Sequence, residues 1–164
     1  MTRRASGACP VRPFHSAAGS PVETGRAAVH WVNETLDYVR GATSVGTTSA
    51  EARALGKGVC QDFSHLALAL LRSAGLPARY VSGYLYPGRD AELDEPVAAE
   101  SHAWVECWAG GWMPLDPSNL SEVASRHVLV ARGRDYADVR PLAGIYSGPA
   151  AESLGVNVEL TRLR

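Results

Sequence analysis

Apolar residues recur at helical spacing early in the chain and at alternating spacing later. From Val22 to Arg40, Val29, Val32, Leu36 and Val39 fall three or four positions apart, which predicts a helix ended by Gly41. A loop over 41–49 follows, and Thr48 or Ser49 can cap a short helix through Glu51 to Leu55. From Cys60 to Ala74 the stripe Phe63, Ala67, Leu70, Leu71 and Ala74 predicts the central helix, with Gly75 and Pro77 as its stop. Cys60 lies on that stripe, so its side chain is expected at the rim of the core.

The period then changes. Arg79, Val81, Gly83 and Leu85 alternate with Tyr80, Ser82, Tyr84 and Tyr86, a strand pattern. Residues 87–100 read as an acidic loop bearing Pro and Gly. Strands are predicted over Ser101 to Trp108, Trp112 to Asp116, His127 to Ala131 and Leu154 to Leu160, the last with Leu154, Val156, Val158 and Leu160 on one face. Helices first and antiparallel strands after give the α+β class. Residues 1–20, rich in Pro, Gly, Ser and Ala without a period, read as a loosely packed lead-in, and 21–164 as one domain.

Composition narrows the function classes. The chain has 164 residues, 46% apolar, with a net charge of −1. That is enough for a sizeable core, and the balanced charge points away from nucleic acid and anionic membranes as partners. No apolar run is long enough to span a bilayer. Arg3 and Arg4 are not followed by the apolar stretch of a signal peptide. Cys9, Cys60 and Cys107 are too scattered for a disulfide framework, and without a CxxC pair no structural zinc is expected. A reduced, cytoplasmic compartment is the expectation.

Candidate chemistry starts at Gly56-Lys57-Gly58-Val59-Cys60-Gln61-Asp62-Phe63. A thiol at a helix start lies in the positive end of the helix dipole, which favours thiolate over thiol. Further on come Ser101-His102-Ala103-Trp104 and Leu115-Asp116-Pro117. Cys60, His102 and Asp116 supply a nucleophile, a proton carrier and an orienting carboxylate. The Cys60 backbone N–H is a natural oxyanion donor. Gln61, Tyr38 and Trp31 are candidates for the second, and Trp104, Tyr38 and Gln61 for substrate contacts.

Strand parity makes this triad conditional. His102, Trp104, Glu106 and Trp108 share one face, and Ala103, Val105 and Cys107 the other. A two-residue Gly110-Gly111 turn pairs Val105 with Asp116, which puts Asp116 on the wrong face. A three-residue Ala109-Gly110-Gly111 loop pairs Trp104 with Asp116, diagonal to His102 at roughly 7–8 Å between backbones. The triad therefore requires the three-residue loop. Cys107, on the opposite face, is expected in the core, His65 on a polar helix face, and Asp135 in a turn bonding backbone amides.

The stretches GVCQDFSHLALALLRSAGLPARYVSGYL, ESHAWVECW, GGWMPLDPSN and GRDYADVRPLAGIY together resemble the bacterial transglutaminase-like superfamily of papain-type fold. The resemblance runs from about Val22 to the C-terminus. It implies a nucleophile helix packed on an antiparallel sheet, with Cys60, His102 and Asp116 as the triad. It also implies a cysteine-dependent enzyme acting on amide bonds of a peptide or protein, without a cofactor. Many bacterial relatives carry an upstream β-sandwich that residues 1–20 do not resemble. Calcium, used by animal relatives, is not implied, because no acidic loop has EF-hand spacing. Two alternatives stand beside this reading: a non-catalytic binding module that kept the fold, and an arylamine-acyltransferase-like enzyme.

Overall fold

A computed structural model describes residues 19–87, 93–140, 148 and 157–163. Helix α1 (Pro21–Thr35) starts at Ser20, whose hydroxyl accepts the Glu23 N–H, and it carries Pro in its first turn. It ends five residues earlier than the apolar spacing predicts. Leu36 turns extended, and the backbone N–H groups of Asp37 and Val39 donate to the carbonyls of Gly56 and Gly58. The pairing makes a short parallel ladder of β1 (Asp37–Tyr38) and β2 (Lys57–Gly58). Leu36 keeps its place in the core, whereas Val39 is exposed. The ladder outbids the helix here, and it sets Tyr38 beside the approach to Cys60.

Helix α2 (Ser49–Leu55) is capped by Thr48 through a reciprocal capping box with Glu51. Helix α3 (Cys60–Ser73) is the centre of the domain. Its face of Phe63, Leu66, Ala67, Leu70 and Leu71 packs in one cluster with Ala28, Val29 and Val32 of α1. Ala103, Val105 and Cys107 of the sheet complete that cluster. Each fully buried Leu or Phe there stabilises by about 1.5–3 kcal/mol relative to exposure. Cys107 is fully buried, as its strand face predicts.

The sheet runs in the order β6-β5-β3-β7, antiparallel throughout, with β3 (Ala78–Leu85), β5 (Glu100–Trp108), β6 (Trp112–Leu115) and β7 (His127–Gly133). In the β5–β6 hairpin Trp108 pairs with Trp112 and Val105 with Leu115. That is the register of the three-residue Ala109-Gly110-Gly111 loop. Gly110 sits at φ 90°, which a side chain would resist. The acidic loop is shorter than expected, because Pro96–Ala98 (β4) pairs with Glu159–Thr161 (β8). Of the strand predicted over Leu154 to Leu160, only its last two residues fall in β8, and 154–156 lie outside the described residues. No described helix is long and apolar enough to cross a membrane.

After β7, Asp135 caps the turn at Tyr136–Asp138 by accepting the Ala137 N–H. The Tyr136 N–H donates to His65 Nε2. His65 is therefore not a solvated polar-face residue. Burial holds its ring below the ordinary imidazole value, and the ring docks this turn onto α3.

A candidate cysteine active site at the start of helix α3

The Gly-x-Gly lead-in has a steric reason. A Cβ on Gly58 would lie 2.6 Å from the Asp62 Cβ and 2.8 Å from its Oδ2. That space belongs to the Asp62 carboxylate, which turns back over the first turn of α3. Its Oδ2 accepts the Val59 N–H at 2.8 Å and the Thr43 hydroxyl at 2.6 Å. A carboxylate at the third helical position also suits the positive end of the helix. Cys60 begins α3 inside this clamp, half-buried, and its backbone N–H has no acceptor within the helix.

Strand β5 and the turn after β6 supply the other two groups. His102 and Asp116 are both buried, and His102 Nε2 lies 2.7 Å from Asp116 Oδ2. Because Nε2 faces the carboxylate, Nδ1 is the ring nitrogen left to serve Cys60, whose thiol is near enough to influence the ring. Burial alone would push the His102 ring toward neutrality. Hydrogen bonds to Asp116 and Cys60 outweigh it and raise the ring to about 9. Asp116 shows the mirror image: burial opposes its charge, but the His102, Asn119 and Ser118 bonds hold it well below the usual carboxylate range.

The Asp116-Pro117-Ser118-Asn119 turn is built around that carboxylate. Oδ1 accepts the Ser118 N–H and hydroxyl and the Asn119 N–H, and Oδ2 accepts the Asn119 side-chain amide at 3.0 Å. Asn33 of α1 donates to the Pro117 and Ser118 carbonyls and fixes the turn to the helix layer. A further ring joins from β7: His127 Nε2 lies 3.3 Å from Asp116 Oδ2. Sequence reasoning missed Ser118, Asn119 and His127. The Asp-Pro-Ser-Asn run is a readable turn signal. Nothing local marks His127, which reaches Asp116 only through the pairing of β7 with β3.

The remaining sequence candidates divide. Tyr38 stands beside Cys60; burial and the nearby thiol raise its phenol, against the pull of Arg40. Trp104 does not line a substrate cleft as expected. It is 1% exposed and forms the floor under the imidazoles, stacked on His102 at 6.1 Å and edge-on to His127 at 5.2 Å. Gln61 is not free to bind substrate as placed, because its amide donates to the Val45 carbonyl. Trp31 carries the Arg53 guanidinium over its ring. Among the described residues, His102, Asp116 and His127 are the one His/Cys/Asp/Glu group with ligand atoms all within 4.8 Å, a spacing a cation could use. Here the Asp116 oxygens are already met by N–H and O–H donors.

The family model for the transglutaminase-like superfamily matches residues 11–117, the segment that carries Cys60, His102 and Asp116. The chain belongs to the transglutaminase-like superfamily. Within it, the chain is 51% identical over 137 residues to the uncharacterized protein ML0607 of Mycobacterium leprae, covering 84% of this chain and 49% of that protein. It is 37% identical over 67 residues to a protein-glutamine gamma-glutamyltransferase of Pseudomonas aeruginosa, covering 37% of this chain and 10% of that one. A solved structure of a candidate cysteine protease from Cytophaga hutchinsonii matches 92% of the chain with a TM-score of 0.69 and 26% identity. It covers 46% of that protein. The transglutaminase-like chain thus spans about half the length of the Mycobacterium and Cytophaga proteins. Its fold is the papain-type arrangement, with helix α3 packed on an antiparallel sheet. His127 lies outside the segment that the family model matches.

Proposed function

We propose that this protein cleaves or transfers an amide bond of a peptide or protein through a thioester on Cys60. The observation that carries this reading is the buried His102–Asp116 pair at 2.7 Å, which leaves the other ring nitrogen free for the nearby thiol at the start of α3. A ring that keeps its proton to about pH 9 is the imidazolium partner a thiolate needs. In the first half-reaction the Cys60 thiolate attacks the carbonyl carbon, and the new oxyanion meets the Cys60 N–H. His102 gives its proton to the amine nitrogen, the C–N bond breaks, and the amine departs. In the second, His102 takes a proton from water or from an incoming amine as that nucleophile attacks the thioester. The C–S bond breaks, Cys60 returns as thiolate, and a carboxylic acid or a new amide leaves. Asp116 holds the ring in place and balances its charge throughout.

Water and amine share every step up to the thioester. The relatives' names divide between these outcomes, a cysteine protease in one case and a glutamyltransferase in the other. The reading is tested by iodoacetamide labelling near neutral pH, followed by peptide mapping. Cys60 should react faster than Cys107, and equal rates would sink the proposal. Digestion of a peptide library, run beside incorporation of a labelled primary amine, then tells the hydrolase from the transferase.

A further inference from the structure

We infer that His127 is a positioning residue of the Cys60 site, acting through Asp116 as a second histidine on the same carboxylate. The inference rests on the proposed triad and adds a member that neither the matched family segment nor the motif spacing supplies.

Three observations define its role. His127 lies with its side chain only 3% exposed, and its Nε2 is 3.3 Å from Asp116 Oδ2. The Ala124 N–H points at His127 Nδ1 at 3.4 Å. A backbone N–H can only donate, so Nδ1 is the acceptor and the ring hydrogen sits on Nε2. That hydrogen is directed at Asp116. The Trp104 ring meets both imidazoles, stacked against His102 and edge-on to His127.

The consequence concerns which oxygen His102 holds. Asp116 Oδ1 is fixed by Ser118 and Asn119, whereas Oδ2 receives His102, His127 and the Asn119 amide. Apart from His102, the donors to this carboxylate other than His127 all come from its own turn, so turn and carboxylate can undergo rotation together and carry the His102 ring with them. His127 approaches Oδ2 from β7, the strand on the far side of β3 from β5, and so opposes that rotation. Through its Nε2 contact it supplies orientation and leaves proton transfer to His102.

The test uses the full chain in two measurements. In the first, imidazole 15N NMR on the wild type should show His127 protonated on Nε2. Asp116→Asn should shift that signal, since the amide changes the acceptor. A His127 protonated on Nδ1 would overturn the inference. In the second, Cys60 alkylation by iodoacetamide is followed against pH for wild type, His127→Phe and His127→Gln. The Phe variant keeps a ring of similar bulk without a donor, and the Gln variant restores a side-chain N–H. The expected result is a loss of about tenfold in the neutral-pH rate for Phe, the loss of one hydrogen bond to a charged group, with a displaced pH midpoint. Gln should remain within about threefold of wild type. Equal rates and midpoints for Phe and wild type would overturn the proposal. So would equal damage in Phe and Gln, which would mark a packing role only. Slow wild-type alkylation with an intact Nε2–H signal that responds to Asp116→Asn would remove the triad reading while leaving His127 as the residue that orients Asp116.

Discussion

Glu106 and Asp116 are both buried at the sheet, and they are held by opposite means. Glu106 of β5 lies between two guanidinium groups, Arg79 Nε at 2.6 Å and Arg132 Nε at 3.0 Å. Asp116 lies between two imidazoles, His102 at 2.7 Å and His127 at 3.3 Å. Burial opposes the charge of Glu106 too, and its bonds to Arg132 and Arg79 overcome that and hold it below the ordinary range. The difference lies in the partners. A guanidinium stays charged at any pH the protein meets, so the Glu106 cluster is a fixed tie across β5, β3 and β7. An imidazole can give up its proton, so only the Asp116 cluster can take part in proton transfer.

The comparison breaks most sharply on turnover. Asp116→Asn should lower turnover by roughly 10⁴-fold, the scale seen when a triad carboxylate is replaced by its amide. Glu106→Gln should leave turnover within about threefold, because Glu106 touches no reacting group. Steady-state kinetics on whichever peptide substrate the library yields checks both. Equal losses would mean that the two clusters are not functionally distinct.

Stability comes next. Glu106→Ala strands Arg79 and Arg132 on the sheet without their anion, and should cost about 3–5 kcal/mol in urea unfolding, less in proportion to how far the arginines reach solvent.

The pH dependence separates the clusters without mutation. The His102 ring is raised from 6.5 to about 9, so its contribution to stability is complete below about pH 6.5 and fades as pH climbs through about 9. Asp116 and Glu106 are both lowered, so their contributions hold above their ordinary values and fade in acid. The acid limb is shared, and the alkaline limb between these two values belongs to His102. Thermal melts from pH 6 to 10 should show a falling Tm, flattened in His102→Gln and unchanged in slope in Glu106→Gln. The smallest effect is Trp112→Ala, which removes the ring lying 3.8 Å from the Arg79 guanidinium and should cost about 0.5–1 kcal/mol. Its melt should shift by a few degrees at most, with Cys60 alkylation unaffected.

Much of the fold and the three candidate chemical groups was legible because both rest on local rules. The α3 stripe follows from helical spacing, and the hairpin register follows from strand parity together with a glycine at a left-handed turn position. What escaped depends on distant pairing. Leu36 and Val39 keep helical spacing, yet the chain leaves the helix at Leu36 because residues twenty positions later offer backbone partners. His127 begins a strand like any other and becomes notable only once β7 is laid beside β3. Trp104 looked like cleft lining because its neighbours were chemical, but strand neighbours of a buried pair are themselves buried. Cys9, the third cysteine of the sequence, lies outside the described residues.

The three-residue hairpin loop also bears on the order of assembly. Hairpins close in about 1–10 μs, whereas contacts between distant segments wait on slower chain diffusion and collapse. His102 and Asp116 are brought together by a loop of three residues, but Cys60 comes from a helix that precedes the hairpin by two strands. The expected order is that the His102–Asp116 pair takes shape early and Cys60 docks onto it late. Substitutions at Gly110 should then slow refolding, and those at Gly58 should mainly speed unfolding. Stopped-flow refolding of the two variants would reveal the reverse order if Gly58 governed the folding rate.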